Sequence, residues 1–162
     1  MQARTTPIAP GDTVPRFELT RPDDAPVELR ELLDADRTLL YFMRTPTCPV
    51  CHAHLRQMER TEVEDVALAE RLVVIVPGDA QDTANVAARH PLLSGRIVGS
   101  LDAHAAVGLF VRAGLQQSGS FVVDQSGTVL TARTATVPVN AYREAEAIGC
   151  LTAAGRGNIP TQ

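Results

Sequence analysis

Cys48 and Cys51 stand as C-P-V-C inside the segment Tyr41-Phe-Met-Arg-Thr-Pro-Thr-Cys48-Pro-Val-Cys51-His-Ala-His54. Two thiols at that spacing can exchange with a disulfide, attack an electrophilic oxygen, or bind a soft metal. The third cysteine, Cys150, lies far along the chain, and an odd count is a poor basis for a structural disulfide framework. Close-set cysteines outside such a framework are more often redox-active or metal-binding than structural.

The elements around the pair decide what it can do. Residues 38–43 (TLLYFM) are a short continuous apolar run, the mark of a buried strand. Pro49 suits the first position of a helix, where its missing N–H is not needed. The order predicts Cys48 at or beside a helix N-cap and Cys51 one turn in. The positive end of the helix dipole then favours Cys48 as a thiolate, and Arg44 adds to it. Cys51, less exposed, is suited to resolve a mixed disulfide or sulfenic acid formed at Cys48.

The rest of the chain alternates strands and helices. Residues 16–19 read as extended, 28–33 (ELRELL) as a short helix, and 49–71 as one long helix with a weaker stretch, open to a kink, at 61–65. That helix carries its apolar stripe on Val50, Leu55, Met58, Val66 and Ala69. Residues 72–76 (LVVIV) are a second buried strand, 80–89 a helix, and 96–100 a third strand. Residues 102–107 form a short helix capped by Asp102. Residues 121–124 and 129–133 pair as a hairpin about Gln125-Ser126-Gly127, and 140–151 close the chain as a helix capped by Asn140. The pattern predicts α/β architecture, a mixed central sheet with helices on both faces. Residues 1–10 read as a loose lead-in, 11–152 as one domain, and 153–162 as a flexible polar tail.

Composition removes other chemistries. The 162 residues hold 15 basic side chains, all arginine, so there is no lysine for a Schiff base, a pyridoxal-phosphate anchor or a phosphate loop. The formal net charge of −4 argues against a nucleic-acid partner. Arginine in place of lysine, with heavy alanine, fits GC-rich bacterial coding. The apolar runs are strand-sized, too short for a membrane span, and the first 15 residues show no secretory apolar block. The expected setting is cytoplasmic.

Four stretches, in order, resemble the alkyl hydroperoxide reductase/thiol-specific antioxidant (AhpC/TSA) family, the peroxiredoxins and their thioredoxin-fold relatives. They are Gly11-Asp-Thr-Val-Pro15-Arg-Phe17-Glu-Leu19, Tyr41-Phe42-Met43-Arg44 through Cys48-Pro49-Val-Cys51, the segment from Asp102 to Gly108, and Phe121-Val-Val-Asp124 with Ser126-Gly127. The second is similar to the F-x-R-x-x-x-C-P-x-C pattern of the peroxiredoxin-like branch. The resemblance implies a thioredoxin-like three-layer α/β/α fold and a thiol-dependent oxidoreductase acting on hydroperoxides or protein disulfides. Cys48 would attack, Cys51 resolve, and Arg44 assist, with Thr45, Thr47 and Pro49 supporting. No cofactor is implied; a thioredoxin-like protein would supply electrons, and a homodimer is one compatible assembly. The chain departs from the family at three places. Tyr41 stands where peroxiredoxins carry a proline, Ser118 where they carry an arginine or thioredoxins a cis-proline, and Thr47 where thioredoxins carry tryptophan. Arg44 remains as the substitute cation for peroxide activation.

Other readings of the same residues stay open. Cys48 to His52 spells C-x-x-C-H, the haem c attachment string, which also demands export and a haem-sized cavity. Cys48 and Cys51 with His52 or His54 could hold zinc or copper in a non-enzymatic metal-binding or redox-sensing module, although residues 51, 52 and 54 of one helix point in different directions. His54, His90 and His104 read as surface or packing residues, Cys150 as a small buried hydrophobe, and Asp102 and Asp124 as cap and turn residues. Arg44 has Glu18 and Glu59 as alternative partners to Cys48.

Overall fold

The computed structural model describes residues 4–152. In chain order these form β1 (Leu19–Thr20), β2 (Pro26–Val27), α1 (Leu29–Leu32), β3 (Arg37–Phe42), α2 (Pro49–Glu59), β4 (Glu62–Val63), β5 (Val66–Ala67), β6 (Leu72–Pro77), α3 (Ala80–Arg89), β7 (Ile97–Ser100), α4 (Ala103–Ala106), β8 (Val111–Arg112), β9 (Leu115–Gln116), β10 (Ser118–Asp124), β11 (Val129–Ala135) and α5 (Glu144–Thr152). Seven strands make one sheet in the order β11-β10-β3-β6-β7-β1-β2. β3, β6 and β7 are parallel, the adjacent β10 and β1 run antiparallel to them, and β11 and β2 pair antiparallel at the two edges. β3 is therefore interior, bonded on both sides, as its unbroken apolar run requires.

The two-residue period of β3 divides the interior. Leu39, Tyr41 and Met43 face one core with Cys51, Leu55 and Met58 of α2, Val86 of α3 and Leu151 of α5. Leu40 and Phe42 face the other, with Leu32 of α1, Ala103 of α4, Phe17 and Phe121. Helices thus cover both faces, giving the expected three layers. Phe42 meets Phe17 and Phe121 edge to face, at ring-centroid separations of 6.4 and 5.5 Å. No helix among the described residues is long and apolar enough to cross a membrane.

Three expectations are corrected. The long helix over 49–71 stops at Glu59. Thr61 turns its hydroxyl back onto the Gln57 carbonyl and Glu144, and a β4–β5 hairpin follows with Glu64 and Asp65 at positive φ. The closing helix begins at Glu144 rather than Asn140, because a 3₁₀ turn at Pro138–Asn140 intervenes. At α4 the first-turn amide of Ala103 is bonded by Ser100 Oγ, and Asp102 makes no side-chain cap. The extended piece near Phe17 is an edge hairpin, β1 with β2. Within the lead-in, Ile8 is buried and its amide donates to the Val107 carbonyl at 2.9 Å. The tail at 153–162 lies outside the described residues.

Candidate active site

β3 ends at Phe42, and the Met43 amide still donates to Ile75 of β6 at 3.1 Å. The chain then turns at the carboxyl end of the parallel strands, where open α/β sheets place their sites. The Cys48 amide donates to the Thr45 carbonyl at 3.3 Å, closing a turn with Pro46 and Thr47 at its corners. Cys48 is the N-cap of α2 and Pro49 its first residue. Sequence reasoning placed this junction correctly.

At the N-cap, Cys48 Sγ takes the place of the usual oxygen and accepts the Cys51 amide at 3.3 Å. Cys51 Sγ in turn accepts the Arg44 amide at 3.3 Å. Both cysteines are free, and both are buried, Cys48 at 1% exposure and Cys51 at 0%. Burial alone would raise the Cys48 pKa. The Cys51 thiol and amide, then the Arg44 side chain, outweigh burial and hold Cys48 below the ordinary thiol value. Cys51 is pushed up to about 12, by burial first and then by the hydrogen it gives to Cys48. The pair is polarised: of the two, Cys48 ionises the more readily and Cys51 holds its proton the more firmly.

Behind Cys51, Tyr41 is fully buried and its hydroxyl lies 2.7 Å from His54 Nδ1. Tyr142 meets both rings edge-on. Burial, then the neighbouring Cys51, drive the Tyr41 hydroxyl well above its ordinary pKa, so it stays protonated. Burial lowers the His54 pKa below its ordinary value. His54 is thus a hydrogen-bonded partner of Tyr41 in the second layer of the site.

His52 departs furthest from expectation. It is fully buried, with Nε2 2.8 Å from the Pro46 carbonyl oxygen and Nδ1 2.7 Å from His90 Nε2. His90 Nδ1 meets Glu59 Oε1. With both His52 nitrogens engaged, and Nδ1 of His54 on Tyr41, the structure does not gather the ligands of the metal reading around one point, and no cluster of three metal-binding side chains occurs among the described residues. The link from His52 to His90 crosses 38 positions of sequence. Its one local signal was the spacing of His52 and Glu59, two turns apart on one face of α2.

The remaining predicted residues fall as follows. Arg44 is half-buried beside Cys48, and Glu59 is taken by His90. Thr45 contributes its carbonyl to the turn, while Thr47 and Pro49 are exposed. Ser118 is buried and its hydroxyl has no protein partner. His90 and His104 are buried, not at the surface; His104 Nε2 donates to the Met43 carbonyl at 2.6 Å. Cys150 is half-buried, with its sulfur 3.7 Å from Arg37 Nη1. Asp124 holds the hairpin turn through the Ser126 and Thr128 amides. A groove of about 690 Å³ between Phe17, Val27, Glu31 and Asp102 lies along β1 and β2 and contains neither cysteine of the pair.

The fold has many solved counterparts. A thiol peroxidase from Chromobacterium violaceum superposes with a TM-score of 0.71 at 14% identity, covering 97% of this chain and 93% of its own. The peroxidoxin BcpB from Mycobacterium tuberculosis gives 0.60 at 20% identity, covering 95% and 99%. BsSco, of the Sco family of cytochrome c oxidase assembly proteins, for which a disulfide switch was identified, gives 0.64 at 17% identity, covering 96% and 99%. These likenesses establish a thioredoxin-like fold. No curated protein sequence matches the chain. The family model of AhpC/TSA matches residues 10–132, from the lead-in through most of the β10–β11 hairpin, and includes the Cys48 turn and α2. A match over that much of the chain shows that this protein belongs to the AhpC/TSA family.

Proposed function

We propose that the protein reduces hydroperoxides through a Cys48/Cys51 dithiol–disulfide cycle, with electrons returned by a thioredoxin-like dithiol protein. The observation that carries this reading is the asymmetry of the pair: Cys48 Sγ, at the helix N-cap, accepts the Cys51 amide and is held below its ordinary pKa by Cys51 and Arg44, while burial and Cys48 hold the proton on Cys51 against the Arg44 amide. In the first step the Cys48 thiolate attacks one peroxide oxygen. The O–O bond breaks, and the alkoxide leaves with a proton from solvent. Cys48 becomes a sulfenic acid, and the peroxide is reduced by two electrons. In the second step the Cys51 sulfur attacks Cys48, water leaves with the Cys51 proton, and the disulfide forms. An external dithiol then attacks the disulfide and becomes oxidised in its place. Residues three apart on a helix have Cβ atoms about 5–6 Å apart, so the first turn of α2 tightens slightly to reach disulfide distance.

A second reading, exchange with protein disulfides, is favoured by Ser118. It stands where the resemblance places a peroxide-binding arginine, and it is buried and uncharged. One comparison separates the two. Reduced protein is mixed with hydrogen peroxide and, separately, with insulin, and the loss of the Cys48 and Cys51 thiols is followed by quenched mass spectrometry. The peroxide reaction is expected to run far faster than that of free cysteine, and Cys48→Ser to abolish it. A peroxide rate no faster than free cysteine's, with insulin reduced, would replace the first reading by the second.

A further inference from the structure

The cysteine cycle gives no role to His52, His90 and Glu59, yet these three are joined end to end and reach the turn that carries Cys48. The Pro46 carbonyl can only accept, so His52 Nε2 carries hydrogen and donates to it at 2.8 Å. The rings of His52 and His90 have centroids 5.0 Å apart and planes within 14°. With nitrogens 2.7 Å apart, that is two rings lying edge to edge, so their hydrogen bond runs in the plane of both. Glu59 closes the far end on His90 Nδ1. His52 is 0% exposed and His90 1%, so water does not readily replace any link.

Three hydrogen bonds in series need three hydrogens, and two neutral imidazoles bring two. With Glu59 as a carboxylate, the third hydrogen makes an imidazolium whose charge the carboxylate balances. Without it, two lone pairs face each other at one joint, a buried loss. The charges facing the chain are Arg56 and Glu59 on α2 and Arg89 beside His90. Burial first, then Arg89, His90 and Arg56, disfavour charge on His52 against the Pro46 carbonyl, which favours it.

Pro46 and Thr47 share the central peptide of the Thr45–Cys48 turn, the unit that must rotate for the turn to open. Cys48 is 1% exposed, so a reacting partner reaches its sulfur only when neighbouring chain moves. We propose that His52, held by His90 and Glu59, is a positioning residue for this turn: its grip on the Pro46 carbonyl keeps the turn closed over Cys48, and loss of the third proton releases it. The proposal rests on the cysteine-cycle reading, for which Cys48 must be reached.

The test is the rate at which iodoacetamide alkylates Cys48, located by mass spectrometry, as a function of pH. Alkylation needs neither peroxide nor an electron donor, so the clamp can fail while the peroxide assay succeeds, and the reverse. The wild-type rate is expected to rise in two steps, thiolate formation and turn release. Glu59→Gln should show only the first step, because its amide donates to His90 Nδ1 and completes all three bonds without an extra proton. His52→Leu should be about fivefold faster than wild type before the second step, the population change that one lost hydrogen bond brings. His52→Gln, which keeps a donor for Pro46, should restore the slow rate. If His52→Leu does not fold, ¹⁵N-histidine spectra of the wild type decide: His52 must be protonated at Nε2, and its signals must change with the second step. A single-step wild-type profile, an unchanged profile in Glu59→Gln, or a His52 protonated at Nδ1 alone overturns the proposal.

Discussion

Tyr41 and His54 share a 2.7 Å hydrogen bond directly behind Cys51, one residue from the interior strand β3 and the other from α2. Tyr41 occupies the position where the family resemblance places a proline, so this contact is a property of the chain rather than of the general motif. Burial and its own neighbours keep the Tyr41 hydroxyl protonated, and its donation favours the Cys51 thiolate. Tyr41→Phe should therefore slow disulfide formation by about two- to tenfold, the range of one hydrogen bond, and leave the first attack by Cys48 unchanged. The chain has no tryptophan, so the two steps are best followed by quench and mass spectrometry of sulfenic acid and disulfide. An equal slowing of both steps would remove Tyr41 from any specific link to Cys51.

Cys51 also acts on Cys48 before any substrate arrives, because its thiol donates to the Cys48 sulfur. Cys51→Ala removes that donor and keeps the backbone amide. The first pH midpoint of Cys48 alkylation should rise by roughly one pH unit, the equivalent of a charge-assisted hydrogen bond near 1.5 kcal/mol. Arg44→Gln should move the same midpoint upward by less, since Arg44 stands after the two Cys51 contributions, and its effect should shrink in high salt. A larger shift from Arg44→Gln than from Cys51→Ala would reverse that order.

The parts of this site visible in the sequence are those fixed by local chemistry. The apolar run of β3, Pro49 at the helix start and the C-x-x-C spacing each carry their own signal, and α3 falls on the predicted bounds because Asp79 and Asp82 form a capping box at its start. The break after Glu59 was visible only as a weak stretch at 61–65 that reads as a kink; that the helix ends there was not, because Glu64 and Asp65 take positive φ inside a stretch that still shows helical apolar spacing. The same holds for the histidines. His90, before a proline, reads as a surface residue until α3 is docked and its ring reaches His52. Burial of polar side chains is set by tertiary contacts, and those lie beyond any window of local sequence.

Gly99 tests how closely α3 is held against the sheet. A Cβ there would stand 2.0 Å from Thr83 Oγ1 and 3.1 Å from the Gly78 carbonyl oxygen. Thr83 is buried and bonded to the Asp79 carbonyl at 2.7 Å, so it cannot swing away freely. Gly99→Ala should cost about 1–3 kcal/mol by urea unfolding, as overpacking does. Adding Thr83→Ala should recover part of that loss, a coupling measurable as a double-mutant cycle. Additive losses would mean that the clash is with the Gly78 backbone instead.

The last prediction concerns acid. His104 lies against Phe42 at 5.1 Å, donates from Nε2 to the Met43 carbonyl, and leaves Nδ1 buried with no protein partner. Burial lowers its pKa to about 4 from 6.5, against the opposing pull of the Met43 carbonyl. As pH falls below 6.5 the unfolded chain takes up this proton first, so folding loses stability until the native ring also titrates near 4. Above pH 6.5 the group contributes no pH dependence. The integrated loss is about 3 kcal/mol, most of it reached by pH 4.5. His104→Gln keeps a donor for Met43 and does not titrate. Its stability relative to wild type should therefore improve by about 2–3 kcal/mol between pH 7.5 and pH 4.5, measured by urea unfolding at each pH. Parallel losses in the two proteins would show that His104 protonates in the folded state as readily as in the unfolded chain.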